Sequence, residues 1–253
     1  MVSIILKGRR VVAVERRHPW VFSGAIARMT AEPEEGDRVV VCDPDGQPLA
    51  YGHFQDGSIR VRLFHFGAEA PGPSFWADRL SEARDVRRQL GLGTADTNAY
   101  RLVHAEGDGL PGLIIDMYDR TAVVQCHSWG MYREREAIAQ ALQKVYEGKL
   151  DAIYCKSVAT LPQRFQAQAE DTYLYGQGLS RLVKENGHSF LVDWEGGQKT
   201  GFFLDQRENR ALLGQYAAGK TVLNTFCYTG GFSIYALAAG ARRVDSVDVS
   251  EAA

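Results

Sequence analysis

TVLNTFCYTGGFSIYALAAGARRVDSVDV, residues 221–249, is the stretch on which the fold turns. TVLNTF has the apolar, β-branched character of a buried strand, TGG is a tight turn, FSIYALAA is a helical run closed by Gly240, and RRVDSVDV is a second strand. A strand, a glycine turn, a helix and another strand in succession predict a parallel, doubly wound α/β sheet. The sequence reaches Ala253 directly after that second strand. Open sheets of this type usually carry about five or more strands, so the expectation is an incomplete Rossmann-like domain with exposed apolar surface.

Glycine lacks a Cβ, so a Gly-Gly turn at a helix start lets backbone N–H groups approach a ligand closely. Asp248 ends the second strand 18 residues beyond Gly230, close to the ~20-residue offset at which an acid reaches ribose hydroxyls. The turn lacks G-x-G-x-x-G, which favours a nucleoside without phosphates, such as S-adenosylmethionine, over a dinucleotide. A helix start packed on a sheet, with Asp248 an ordinary strand-end acid, remains the alternative.

Outward from this stretch the chain divides into three expected parts. Residues 1–74 read as a β-rich module: VVAVERR, DRVVVCD and SIRVRLFHF alternate like strands, and DPDGQP at 43–48 supplies hairpin chemistry. Residues 75–184 read as a small α+β unit that opens with the helix FWADRLSEARDVRRQLG, stopped by Gly91, and holds a hairpin through YRLVHAEGDGLPGLIIDMY and a helix from Met131 to Tyr146. Residues 185–253 form the third part, a hairpin followed by a helix for which Asp205 and Glu208 are spaced as N-cap and N3.

With 45% hydrophobic and 24% charged residues the chain is globular rather than disordered. No apolar run approaches the ~18 residues of a membrane span. The N-terminus places its apolar run before its basic cluster, the reverse of a secretory signal, so a cytoplasmic protein is expected. Cys42, Cys126, Cys155 and Cys227 form no C-x-x-C pair and the six histidines are dispersed, so no metal site is expected. Net charge is only -2, yet Lys7, Arg9, Arg10, Arg16, Arg17 and Arg28 face Glu15 alone within the first 28 residues. Lys7, Arg9, Arg10, Arg16 and Arg17 are the expected RNA-facing set; Trp20 and Phe22 are expected in the core.

Four motifs carry a family resemblance. Arg17-His18-Pro19-Trp20-Val21-Phe22-Ser23-Gly24, Gly107-Asp108-Gly109-Leu110-Pro111-Gly112, Lys199-Thr200-Gly201 with Leu204-Asp205-Gln206-Arg207, and Phe226-Cys227-Tyr228-Thr229-Gly230-Gly231-Phe232 occur in one order along the chain. Together they resemble the RlmI type of class I S-adenosylmethionine-dependent 23S ribosomal RNA (cytosine-C5) methyltransferase. The resemblance implies a PUA RNA-binding domain at 1–74, a central α+β domain at 75–184, and the N-terminal part of a class I methyltransferase domain at 185–253. It implies that Lys199, Thr200, Gly201, Asp205, Gln206 and Arg207 lie over the cofactor, that the Phe226, Tyr228, Thr229, Gly230 and Gly231 turn meets its amino-acid end, and that Asp248 holds its ribose.

The family's Asp-Pro-Pro motif and attacking cysteine lie downstream of these motifs, so the resemblance implies a chain truncated after the second strand, without catalytic residues of its own and inactive alone. C5 of cytosine becomes nucleophilic only after a thiolate adds at C6. Cys227 sits in the cofactor turn and is expected as a packed cysteine behind it. His104, Glu106 and Asp108 precede a Gly-Pro turn, where Asp commonly satisfies backbone donors, and are expected to be structural. The implied partner is 23S rRNA, with which a homodimer is compatible. A non-catalytic RNA-binding protein derived from a truncated methyltransferase is the alternative; an oxidoreductase is disfavoured by the missing third glycine.

Overall fold

The computed structural model describes residues 1–178 and 180–250; residues 251–253, the end of the expected third part, lie outside them. Compactness divides the chain into two units. One takes Met1–Leu90 and resumes at Arg101; the other takes Gly91–Tyr100 and resumes at Ser180. The expected boundary near 74 therefore falls inside the first unit, between its two sheets.

The first sheet is built from β1 (Val2–Leu6), β2 (Trp20–Phe22), β3 (Ile26–Met29), β4 (Arg38–Cys42), β5 (Pro48–Phe54) and β6 (Ile59–Phe66) in the order β2-β6-β5-β4-β1-β3. β1 and β4 run parallel and the other pairs antiparallel. Alternation along these strands turns Ile4, Leu6, Val39, Val41, Val61 and Leu63 into one core. VVAVERR, expected as a strand, instead holds the short helix α1 (Val11–Glu15). Val11 and Val14 are three apart and both pack on that core, and over five residues this spacing cannot be told from alternation by pattern alone.

Helix α2 (Phe75–Gln89) buries Trp76, Leu80 and Ala83 on one face and is followed by Gly91 at φ 75°. The second sheet holds β7 (Ala99–His104), β8 (Leu113–Tyr118), β9 (Thr121–Cys126), β10 (Ala152–Cys155) and β11 (Thr172–Gly176), in the order β11-β10-β9-β8-β7. The single helix expected from Met131 to Tyr146 is two, α3 (Trp129–Arg133) and α4 (Arg135–Tyr146), separated at Glu134. Helix α5 (Gln163–Gln166) follows β10. Strand β11 (TYLYG) lies inside a stretch that reads as polar, a reading that misses its strand-favouring Thr and Tyr residues.

In the second unit β12 (Leu182–Glu185) and β13 (His188–Leu191) form a hairpin whose turn residues Asn186 and Gly187 have φ 49° and 81°. These are the positive angles that an Asn-Gly hairpin turn requires. Helix α6 (Arg207–Ala217) begins after a 3-10 turn at Leu204–Gln206, with Gln206 at its cap and no side-chain capping bond. Asp205 is thus not the N-cap; its carboxylate lies 3.6 Å from Lys199 Nζ instead. β14 (Thr221–Thr225), α7 (Gly231–Ala238) and β15 (Arg243–Val247) follow, with β14 and β15 parallel. Leu223, Phe226, Val247 and Val249 are exposed.

Candidate functional site

β14 delivers the chain into a turn in which Phe226, Tyr228 and Gly230 all have positive φ, 57°, 46° and 73°. Such angles are costly for side-chain-bearing residues, and here Tyr228 is held by several bonds. Its N–H donates to Asp248 Oδ2 (2.9 Å), its hydroxyl accepts from the Gln198 N–H (3.1 Å), and the same hydroxyl donates to the Gly201 carbonyl (3.2 Å). Tyr228 therefore fastens the turn both to the end of β15 and to the segment before α6. Asp248 also accepts from the Ser250 N–H at 2.9 Å. The Ser250 and Tyr228 N–H groups hold its carboxyl below the usual aspartate range, keeping it an acceptor for hydroxyl donors.

A cavity of about 450 Å³ opens over this turn, a size ordinary for small-ligand sites. Of the residues expected at a cofactor, Gln206, Phe226, Tyr228, Thr229, Gly231 and Asp248 line it. The others do not line it. Thr200 is fully buried. Gly201 supplies the carbonyl that Tyr228 uses, and Gly230 sets the helix entry. Lys199 Nζ lies 4.3 Å from the Phe203 ring centroid and faces Asp205, while Arg207 pairs with Glu208 at 3.0 Å. Asp205 is held below its usual range by Lys199, against a burial that works the other way.

Sequence reading missed Gln198, Phe202, Phe203, Arg210, Cys227 and Phe232, all on the wall. Cys227, expected behind the turn, is half-buried and lines the cavity; a turn with so many positive φ values splays its side chains outward. Arg210 is 2% exposed and meets the fully buried Glu185 through two bonds, Nε to Oε1 at 2.8 Å and Nη2 to Oε2 at 2.7 Å. Nη2 also donates to the Phe203 carbonyl at 3.1 Å, and the guanidinium lies 4.6 Å from the Phe202 ring centroid. A Cβ on Gly231 would come 3.1 Å from Arg210 Cδ, so glycine keeps α7 against this side chain.

Aromatic walls, a carboxylate at a strand end and a glycine turn opening an eight-residue helix suit a nucleoside that carries a polar tail. The elements that make the pocket sit up to about 50 residues apart in the chain, Gln198 to Asp248, which is why only the contiguous half of it carried a sequence signal.

In the first unit Lys7 donates to the Gly24 carbonyl at 3.0 Å. Arg9, Arg10, Arg16 and Arg17 are exposed and enter no ion pair among the described residues. The expectation that Trp20 and Phe22 are core residues fails: Phe22 is 46% exposed, Trp20 is half-buried, and between them Val21 is buried. Consecutive strand residues face opposite ways, and β2 gives its inward position to Val21. The turn acids are structural, as expected: Asp108 pairs with Arg87 and accepts from the His104 N–H (2.5 Å), and Glu106 accepts from Trp20 Nε1 (2.9 Å). Among the described residues no cluster of three or more His, Cys, Asp or Glu is placed to hold a metal ion, and no helix is long and apolar enough to cross a membrane.

Comparison with known proteins meets this geometry. Residues 4–66 match the PUA-like domain family, and residues 101–253 match a family of S-adenosylmethionine-dependent methyltransferases. The chain is 40% identical over 256 residues to ribosomal RNA large subunit methyltransferase I of Tolumonas auensis, covering 99% of this chain and 64% of that one. It is 40% identical to the protein of the same name from Alteromonas mediterranea, covering 99% and 63%. The chain thus spans just under two thirds of the length of these relatives. Among solved structures it is similar to a candidate SAM-dependent methyltransferase from Streptococcus mutans, with a TM-score of 0.80 and 26% identity over 99% of this chain and 64% of that one. A candidate methyltransferase crystallised with SAH gives a TM-score of 0.81 at 26% identity, over 99% and 63%.

Proposed function

The chain belongs to the S-adenosylmethionine-dependent methyltransferases, and on that premise we propose that it holds S-adenosylmethionine over the α7 turn and serves methylation of 23S rRNA at C5 of a cytosine. The observation that carries the reading is the Asp248–Tyr228 bond. It fixes a carboxylate at the end of β15 over an aromatic-walled cavity, with oxygen lone pairs left for a ribose diol. Phe226 and Phe232 supply apolar wall for the adenine ring, and the helix start at Gly230 and Gly231 takes the carboxylate of the amino-acid tail. When bound, the cofactor supplies a methyl group on a positively charged sulfur.

Lys7, Arg9, Arg10, Arg16 and Arg17 hold the RNA by its phosphates. Support comes from their lack of ion pairs among the described residues, set against arginines such as Arg38, Arg87, Arg120 and Arg133, which are all paired. Cytosine C5 as the methylated atom rests on the motif resemblance; Cys42, Cys126 and Cys155 are buried, and Cys227 lies on the cofactor wall.

Calorimetric titration with S-adenosylhomocysteine tests the cofactor site. Asp248→Ala is expected to weaken binding roughly tenfold to a hundredfold through lost charge-assisted hydrogen bonds. Unchanged affinity in a folded variant moves ribose recognition elsewhere. Bisulfite sequencing of 23S rRNA from cells with and without the gene tests the target: one cytosine should lose its protection, and an unchanged set of protected cytosines refutes cytosine-C5 transfer.

A further inference from the structure

Beside β2 lies a feature that cofactor binding does not use. His18, Trp20 and Phe22 rim a cavity of about 380 Å³ whose wall Arg10 and Gly24 also form. The three rings are not stacked on one another. Their centroids are 6.0 to 6.3 Å apart, and both contacts of the Trp20 ring are edge-on, at 77° to His18 and 85° to Phe22. Trp20 is fixed in place by its Nε1 bond to Glu106 at 2.9 Å, with the Arg62 guanidinium 5.9 Å from its ring centroid. Phe22, nearly half exposed, gains little from burial where it stands. An exposed aromatic beside an open apolar cavity is an uncommon use of a large side chain unless something planar covers it.

The charge around this cavity narrows the occupant. Arg10 stands on the cavity wall with Arg9, Arg16, Arg17 and Arg28 close in sequence; none of the five forms an ion pair among the described residues. Cations near unstacked aromatic faces are the combination by which single-stranded nucleic acid is held: phosphates on arginine, bases on rings. A rigid duplex could meet the arginines but could not place a base in the cavity, because its bases are already stacked and paired.

Resting on the RNA reading above, we infer that the His18–Trp20–Phe22 cavity receives one unpaired base of an RNA strand whose phosphates lie on Arg9, Arg10, Arg16 and Arg17. Phe22 provides the stacking face, Trp20 the fixed wall, and the arginines the sequence-independent attraction. The site would select an unpaired segment of the RNA over a helical one.

The test uses the whole chain and fluorescence anisotropy with three labelled probes: an unstructured ten-nucleotide RNA, the same strand made abasic throughout, and a blunt RNA duplex of equal length. Phe22→Ala should weaken binding of the unstructured strand about fivefold to a hundredfold and leave the slope of log K against log salt unchanged. It should leave the abasic strand and the duplex unaffected. Replacing Arg9, Arg10, Arg16 and Arg17 together with Gln should weaken all three probes and flatten the salt slope. Equal affinity of wild type and Phe22→Ala for the unstructured strand, with the arginine effect intact, overturns the base site alone. An arginine variant with an unchanged slope overturns the RNA reading beneath it. Phe22→Ala losing affinity for the abasic strand as well shows a structural effect and overturns the stacking role.

Discussion

Arg210→Met cuts a buried ion pair that joins the hairpin of the second unit to the cofactor wall. Glu185 and Arg210 are 0% and 2% exposed, so neither charge has water to fall back on. The wild-type carboxylate accepts two N–H groups from Arg210, and Oε1 also accepts from the Tyr235 hydroxyl at 3.1 Å. Burial, the Glu185 charge and this bond push the Tyr235 phenol well above its usual range. Removing the guanidinium leaves a buried carboxylate with one donor, and breaking a buried pair from one side costs about 3–5 kcal/mol.

A Glu185→Leu/Arg210→Met double variant removes both charges and fills the same space with apolar atoms. It should recover most of that loss, because the dominant penalty is the uncompensated charge rather than the lost attraction. Hydrogen-exchange mass spectrometry over β12, β13 and α6 reads the local opening free energy of each variant. A single variant within about 1 kcal/mol of wild type, or a double variant no better than the single, refutes the reasoning. Tyr235→Phe, which deletes only the hydroxyl, should cost about 1–2 kcal/mol in the same peptides.

Gly130→Ala places a Cβ against the ring of the 1% exposed His53, 2.8 Å from Nδ1 and in collision with nearer atoms; a loss of about 1–3 kcal/mol is expected in thermal or denaturant unfolding of the first unit, and no loss would mean that α3 is free to shift. His53 also sets a pH dependence. Burial pushes its imidazole below the ordinary 6.5, against Glu134 at 3.6 Å, with the Arg38 and Arg133 charges adding to the depression. The unfolded chain then binds the proton first, so stability is full above about pH 6.5 and falls as pH drops through that value; His53→Leu should flatten this part of a denaturation-versus-pH series. Glu134 acts in a lower window. Despite burial, His53 and Arg38 bring its carboxyl from 4.5 to about 2, so its contribution is present above about pH 4.5 and is lost toward pH 2; Glu134→Gln should remove that second fall.

Residues 221–249 were legible because everything that specifies them is contiguous. The apolar strand, Gly230 at a turn with φ 73° and the helical run each carry a local period or a backbone requirement. The hairpin at 43–48 was readable for the same reason, whereas the hairpin expected from Glu185 onward turns at Asn186-Gly187 instead, with its first strand Leu182–Glu185 in the stretch read as polar. Val11–Glu15 was not readable, since five residues with three valines satisfy strand and helix patterns alike, and only the position of Val14 over the first core selects the helix.

Strand β11, with Thr172, Tyr173 and Tyr175 suited to a strand but set in a longer polar stretch, is fixed by the edge that β10 offers it. The cofactor wall divides along the same line. Asp248 and the Gly-Gly turn come from the contiguous stretch, whereas Phe203 and Arg210 reach the cavity from α6 and the segment before it, and Arg210 is held by a carboxylate 25 residues earlier in the chain. The amino-acid order by itself determined periodicity, turns and the charge of the first 28 residues. Tertiary packing alone decided which side chains converge, because burial and ion pairing are set by distances in space that local spacing does not encode: Trp20 and Phe22 face outward only because β2 spends its single inward position on Val21.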